Sequence, residues 1–128
     1  CWDADPFQVT EETKEMVMRN ICYLLNSFLR CTAYENIIFC WVMHEQSIIN
    51  RIINELNTSA CRVINISLMT DEENLRNRLS SDIVCGIRTA DVIDRSVGRI
   101  SVYQELDTVK IDTSNKSVRE IADEILKL

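Results

Sequence analysis

Residues 37–43, IIFCWVM, are seven consecutive apolar side chains closed off by Asn36 and His44. A run this short suits a helix poorly, and its β-branched and aromatic content fits a strand buried on both faces, as parallel sheets require. Helical patterns flank it. Upstream, Thr10 followed by Glu11 and Glu12 reads as a helix start, since the hydroxyl can accept from an orphan amide and the carboxylates suit the positive end of the dipole. Val17, Ile21, Leu24 and Phe28 then recur at helical spacing, with Met18, Cys22, Leu25 and Leu29 widening the stripe, which predicts a helix to about Arg30. Downstream, Ile48, Ile49, Ile52, Ile53 and Leu56 predict a second helix ending near Asn57 and Thr58.

The alternation continues. Residues 61–69, CRVINISLM, read as a strand with Ile64, Ile66 and Leu68 on one face. Thr70-Asp71-Glu72-Glu73 has the form of a capping box and opens a helix to Cys85, where Gly86 supplies the stop. Residues 87–90 form a connector bearing Arg88, a second helix spans 91–106, and TVKID at 108–112 is a short strand. Ser117-Val118-Arg119-Glu120 opens a final helix with Val118, Ile121, Ala122, Ile125 and Leu126 inward. Helices alternating with apolar strands imply an α/β fold, a parallel sheet covered by helices on both sides. Ligands of such sheets sit beyond the carboxyl ends of the strands, here His44-Glu45, Thr70-Asp71 and Asp112-Thr113.

Length and charge narrow the partners. A chain of 128 residues is read as one domain, and a net charge of −6 argues against a sequence-independent grip on nucleic acid. Six cysteines without ligand spacing, four of them set in apolar runs like small hydrophobes, fit a reduced cytoplasmic setting and give no metal site. No stretch reaches the ~18 apolar residues that cross a bilayer, and no basic segment precedes an apolar one as in a secretory leader, so no membrane partner is expected. A first residue that is Cys1 rather than Met suggests part of a longer product.

Against that acidic background, residues 75–106 hold Arg76, Arg78, Arg88, Arg95 and Arg99. Guanidinium groups gathered in one stretch suit a planar, bidentate, anionic target such as phosphate. The same residues also fit a purely structural reading: Asp82 lies four after Arg78 and Asp91 four before Arg95, spacings of helical ion pairs worth ~0.3–0.5 kcal/mol each. Both readings stay open at this point.

The order of elements, the paired helices joined at Gly86-Ile87-Arg88, and Ile111-Asp112-Thr113-Ser114 followed by Ser117 and Glu120 resemble the C-terminal part of P-loop small-molecule kinases. More narrowly, Cys1-Trp2, Pro6-Phe7, IIFCWVMHEQ and DVIDRSVGR resemble a group of bacterial P-loop ATP-binding proteins, AAA-family or kinase-like. The family's diagnostic Walker A loop, GxxxxGK(S/T), is not in these residues: the two glycines are followed by Ile87 and Arg99 and stand twelve apart.

What the resemblance implies is a partial three-layer P-loop domain over 1–128, with the first strand and phosphate loop absent and 75–106 carrying a helical lid. It implies ATP and Mg²⁺ as cofactors, a small-molecule phosphoryl acceptor as substrate, and no turnover from these residues alone. Arg88 would sit on the lid, with Arg78 and Arg95 supporting charge on the transferred group. Asp112, Thr113, Ser114 and Asn115 would border the adenine, Trp2, Asp3 and Asp5 the acceptor pocket, and His44 and Glu45 the end of a strand.

Each assignment has a plainer counterpart. His44 suits a turn, Glu45 the first turn of a helix, Asp112 and Ser114 the bend before Ser117, and Trp2 a core. The alternative function is a non-catalytic binding or assembly module that keeps the kinase scaffold, dimeric through strand edges left open by the absent strand.

Overall fold

The computed structural model describes residues 8–128, and Trp2, Asp3 and Asp5 lie outside them. The chain divides into two compact units, one ending at Val63 and the other running from Ile64 to Leu128.

The first unit holds α1 (Glu11–Leu29) and α2 (Gln46–Glu55), close to the expected bounds. Thr10 caps α1 as expected, but its partner in the capping box is Thr13 and not a carboxylate. Val17, Met18, Ile21, Cys22 and Leu25 form the buried stripe of α1, and Ile52 of α2 packs into the same core. Asn26 ties the two helices together. Its Nδ2 donates to the carbonyls of Cys22 (3.0 Å) and Glu55 (2.9 Å), while its Oδ1 accepts from the amide of Asn57 at 2.9 Å. The Glu55 carbonyl belongs to the last turn of α2, where no intrahelical amide is available, so one orphan acceptor is satisfied from the neighbouring helix. Arg51 Nη2 also donates to both carboxylate oxygens of Glu15, at 2.7 and 2.8 Å.

Residues 37–43 are not a strand. Phe39, Trp41 and Met43 lean on the core as every second residue of an extended chain would, whereas Ile38 is 93% exposed and Val42 is also exposed. The run therefore packs one side on α1 and α2, and no neighbouring strand pairs with it among the described residues.

The second unit is mixed α/β around a two-stranded parallel sheet. Strand β1 (Ile66–Met69) and strand β2 (Val109–Asp112) pair in the register Ile66 with Val109 through Met69 with Asp112. Two further bonds lengthen the ladder, Val109 N–H to Asn65 O at 2.9 Å and Thr113 N–H to Met69 O at 2.8 Å. Between the strands the chain makes α3 (Glu72–Val84), α4 (Val92–Val97) and α5 (Ile100–Glu105), and α6 (Val118–Ile125) follows β2.

Several expectations need correction here. The strand expected over 61–69 is regular only from Ile66, and its facing is inverted, with Ser67 buried and Leu68 58% exposed. Burying Ser67 costs little because its hydroxyl meets Thr108 Oγ1 at 2.7 Å. The cap of α3 is Asp71, whose Oδ1 accepts from Asn74 N–H at 2.7 Å, and not Thr70, whose hydroxyl is buried without a partner. The helix expected over 91–106 is two short helices, broken at Gly98 and Arg99, where the poorest helix former short of proline sits. Ser117 and Glu120 do form their capping box, yet Val118 and Leu126 are 85% and 83% exposed. Of the residues expected to face inward on α6, Ile121 and Ile125 are the half-buried ones, one row and not a broad stripe.

Gly86 ends α3 at φ +72°, the left-handed conformation that glycine adopts without Cβ strain. Its N–H donates to Ile83 O and that of Ile87 to Asp82 O, both at 2.9 Å, the two bonds of a Schellman motif. That turn sends the chain back past the end of α3.

Candidate anion-binding cleft

The carboxyl ends of β1 and β2 meet α3 in a closed set of hydrogen bonds. Thr113 is buried, its hydroxyl donating to Met69 O at 2.8 Å and accepting from Arg78 Nη1 at 3.1 Å. Arg78 Nη2 also donates to Thr113 O at 2.6 Å, so one guanidinium spans the end of β2. Asp112 accepts from the amide (3.0 Å) and hydroxyl (2.7 Å) of Ser114, and the Ser114 hydroxyl in turn accepts from Asp71 N–H at 3.0 Å. The Ser114 hydroxyl and then its amide hold the Asp112 carboxyl below its ordinary range. Asp71 is held low first by the Asn74 amide, then by the Asn74 side chain and by Ser114. Arg78, Thr113, Asp112 and Ser114 are thus brought together, but they spend their polar atoms on one another. Asn115 is exposed beside them.

Arg88 and Arg95 meet elsewhere. After the Gly86 turn they line a shallow cleft of about 270 Å³ with Gly86, Ile87, Thr89 and Val92. Arg88 Nε donates to Asp82 Oδ2 at 3.0 Å, and Arg95 Nη2 lies 3.2 Å from Asp91 Oδ2. Asp91 also accepts from the Thr89 hydroxyl, and that bond first, then Arg95, holds its carboxyl low. The Arg95–Asp91 pair is the one its spacing suggests. Asp82 pairs with Arg88 and not with Arg78, because the Schellman turn folds residue 88 onto the last turn of α3. The signal for that pairing was Gly86, whose consequence for residues 82 and 88 does not show in a helical spacing count.

The remaining candidates fall outside this cleft. Arg76 pairs with Glu72 at 2.8 Å and approaches Asp94 at 3.9 Å. Arg99 is half-buried and lies near Tyr103, whose hydroxyl is pushed up by burial and held back by that guanidinium. His44 belongs to the first unit, where its Nε2 is 3.5 Å from Glu45 Oε1 and its Nδ1 is buried without a partner. Of the five cysteines described, all free, Cys22 alone is buried. Burial, then Glu55, pushes the Cys22 thiol up to about 11, which keeps it protonated and unreactive.

The chemistry open to the cleft follows from its lining. Two guanidiniums supply several N–H donors to a tetrahedral anion, while the Thr89 O–H is spent on Asp91. Its lining includes no carboxylate, imidazole or thiol, and the carboxylates of Asp82 and Asp91 stand against its arginines. Among the described residues no three His, Cys, Asp or Glu side chains converge on a cation position. The α3 amino terminus carries Asp71, Glu72 and Glu73, and that of α6 carries Glu120, charges that repel phosphate where a cradle would attract it. No described helix is long and apolar enough to cross a membrane.

Compared with protein-family models, with curated proteins and with solved structures, the chain matches none.

Proposed function

We propose that residues 64–128 are the lid side of a P-loop-like, nucleotide-handling domain, and that they recognise a phosphate group through Arg88 and Arg95 without transferring it. The observation that carries this reading is the parallel pair of β1 and β2 joined by an arginine-bearing helical excursion, with both guanidiniums on one cleft. In kinase-like folds of this connection the excursion closes over phosphate while the cradle and metal come from another segment. Guanidiniums dominate the polar lining of the cleft, which supports recognition of a phosphate as its role. In a complete domain of this class the phosphoryl group would pass to a small-molecule acceptor, with ATP and Mg²⁺ held by a Walker A segment outside these residues.

Titration calorimetry with ATP, on the chain and on an Arg88→Ala/Arg95→Ala variant, tests the proposal. The wild-type chain should bind in the high micromolar to millimolar range of a two-arginine contact, and the double variant should lose about tenfold or more. Equal binding by both proteins, or metal-dependent ATP turnover by the wild type, would refute it.

A second reading is favoured by the sheet itself: among the described residues its two strands leave two unpaired edges, and Leu68 is 58% exposed on β1. On that reading the chain assembles with a second copy through a strand edge. Light scattering over a hundredfold concentration range decides it, and a constant monomer mass would exclude edge pairing.

A further inference from the structure

Each of the two cleft arginines already has one nitrogen paired with a carboxylate that does not line the cleft. Asp82 draws the Arg88 guanidinium through Nε, and Asp91 draws Arg95 through Nη2, while Gly86, Ile87, Thr89 and Val92 make up the rest of the wall. Asp91 is held in place on its other oxygen by the Thr89 hydroxyl. Each pair is at least a third exposed on both partners, the regime in which an ion pair is weak and exchanges readily.

We infer that Asp82 and Asp91 are internal competitors that keep the cleft in a self-neutralised state, so that an incoming phosphate binds by exchanging carboxylate for phosphate on the same guanidiniums. This rests on the reading of the cleft given above and adds its regulation. The geometry makes the exchange local. The Schellman turn at Gly86 fixes where residue 88 begins, and Arg88 lines the cleft while its Nε is held by Asp82, so both partners lie within reach of one side chain. A carboxylate offers two acceptor oxygens and one charge; a phosphate dianion offers three oxygens and more charge, and so displaces it. A singly charged carboxylate ligand gains nothing from the same swap, which makes the pairs a filter against carboxylates as well as a brake. Apparent affinity is the intrinsic affinity scaled by the fraction of molecules whose arginines are released.

The test uses sodium pyrophosphate as the probe and calorimetry on the whole chain, with Asp82→Asn, Asp91→Asn, Arg88→Ala and the control Asp94→Asn. Asp94 is exposed and near α3 but contacts Arg76 and neither cleft arginine, so it reports the general effect of removing one negative charge. Asp82→Asn and Asp91→Asn should each bind roughly two- to five-fold tighter than wild type, the span expected from freeing one exposed ion pair. Asp94→Asn should change affinity by less than either, and Arg88→Ala should bind more weakly than wild type. If Arg88→Ala loses affinity but both Asp82→Asn and Asp91→Asn bind like wild type, or only as the control does, the brake is refuted and the phosphate reading survives. If wild type and all variants fail to bind, or Arg88→Ala binds as well as wild type, the phosphate reading falls and the brake falls with it.

Discussion

Replacing Thr113 with valine separates a strand-end lock from a ligand contact. Thr113 is buried, and valine keeps its shape while removing a hydroxyl that donates to Met69 O at 2.8 Å and accepts from Arg78 Nη1 at 3.1 Å. Met69 O keeps the Thr113 N–H at 2.8 Å, and Arg78 keeps the Thr113 carbonyl and is exposed enough to recover water, so neither partner is orphaned. The loss is therefore the net worth of two hydrogen bonds, about 1–2 kcal/mol in all, and not the larger penalty of a buried unpaired group. Hydrogen exchange read residue by residue is the right assay, because two compact units need not unfold together and a single global transition would blur them. Protection of the Thr113 and Val109 amides should fall by roughly 5–30-fold, the factor that 1–2 kcal/mol represents. Unchanged protection at those amides together with lost phosphate binding would mean that Thr113 serves a ligand, and the lock would be refuted.

Three other outcomes follow from the same structure. Gly86→Ala should destabilise the second unit by about 1 kcal/mol in chemical denaturation, although a Cβ there meets nothing within 4 Å, because the cost is the positive φ of +72°. Ile38→Thr should move stability by less than ~0.5 kcal/mol, while Ile21→Ala in the α1 core should cost about 2–5 kcal/mol; a large loss at residue 38 would restore the buried strand that its sequence suggests. Asp71 has a folded pKa below its unfolded value, so its contribution is present above about pH 4 and lost as pH falls through the lower, folded value. Stability of Asp71→Ala should accordingly vary less with pH below about 4 than that of wild type, measured by thermal melts from pH 5 to pH 2.

Features that depend on a few neighbouring residues were legible in the sequence. Thr10 as a cap, the apolar row of α1, the glycine stop at Gly86 and the Ser117–Glu120 box are each set within one or two turns of helix. Features set by distant partners were not. Residues 37–43 have the composition of a buried strand, but whether they become one depends on a neighbour to share hydrogen bonds, and local composition carries no such information. Ser67 turns inward because Thr108, 41 residues away, offers it a hydroxyl, and that inversion sends Leu68 outward. Within the site, the arginine cluster was visible and its division was not. Arg78 goes to Thr113, 35 residues along the chain, and Arg88 goes to Asp82 through a turn that breaks the helical count.

The most direct measurement of the central claim is a phosphate titration followed at the arginine Nε–Hε signals of the isotopically labelled chain. Saturable shifts at Arg88 and Arg95, with Arg78 unmoved on its Thr113 contact, are what a two-arginine cleft predicts. Shifts confined to Arg78, or the same small drift at every arginine, would contradict it.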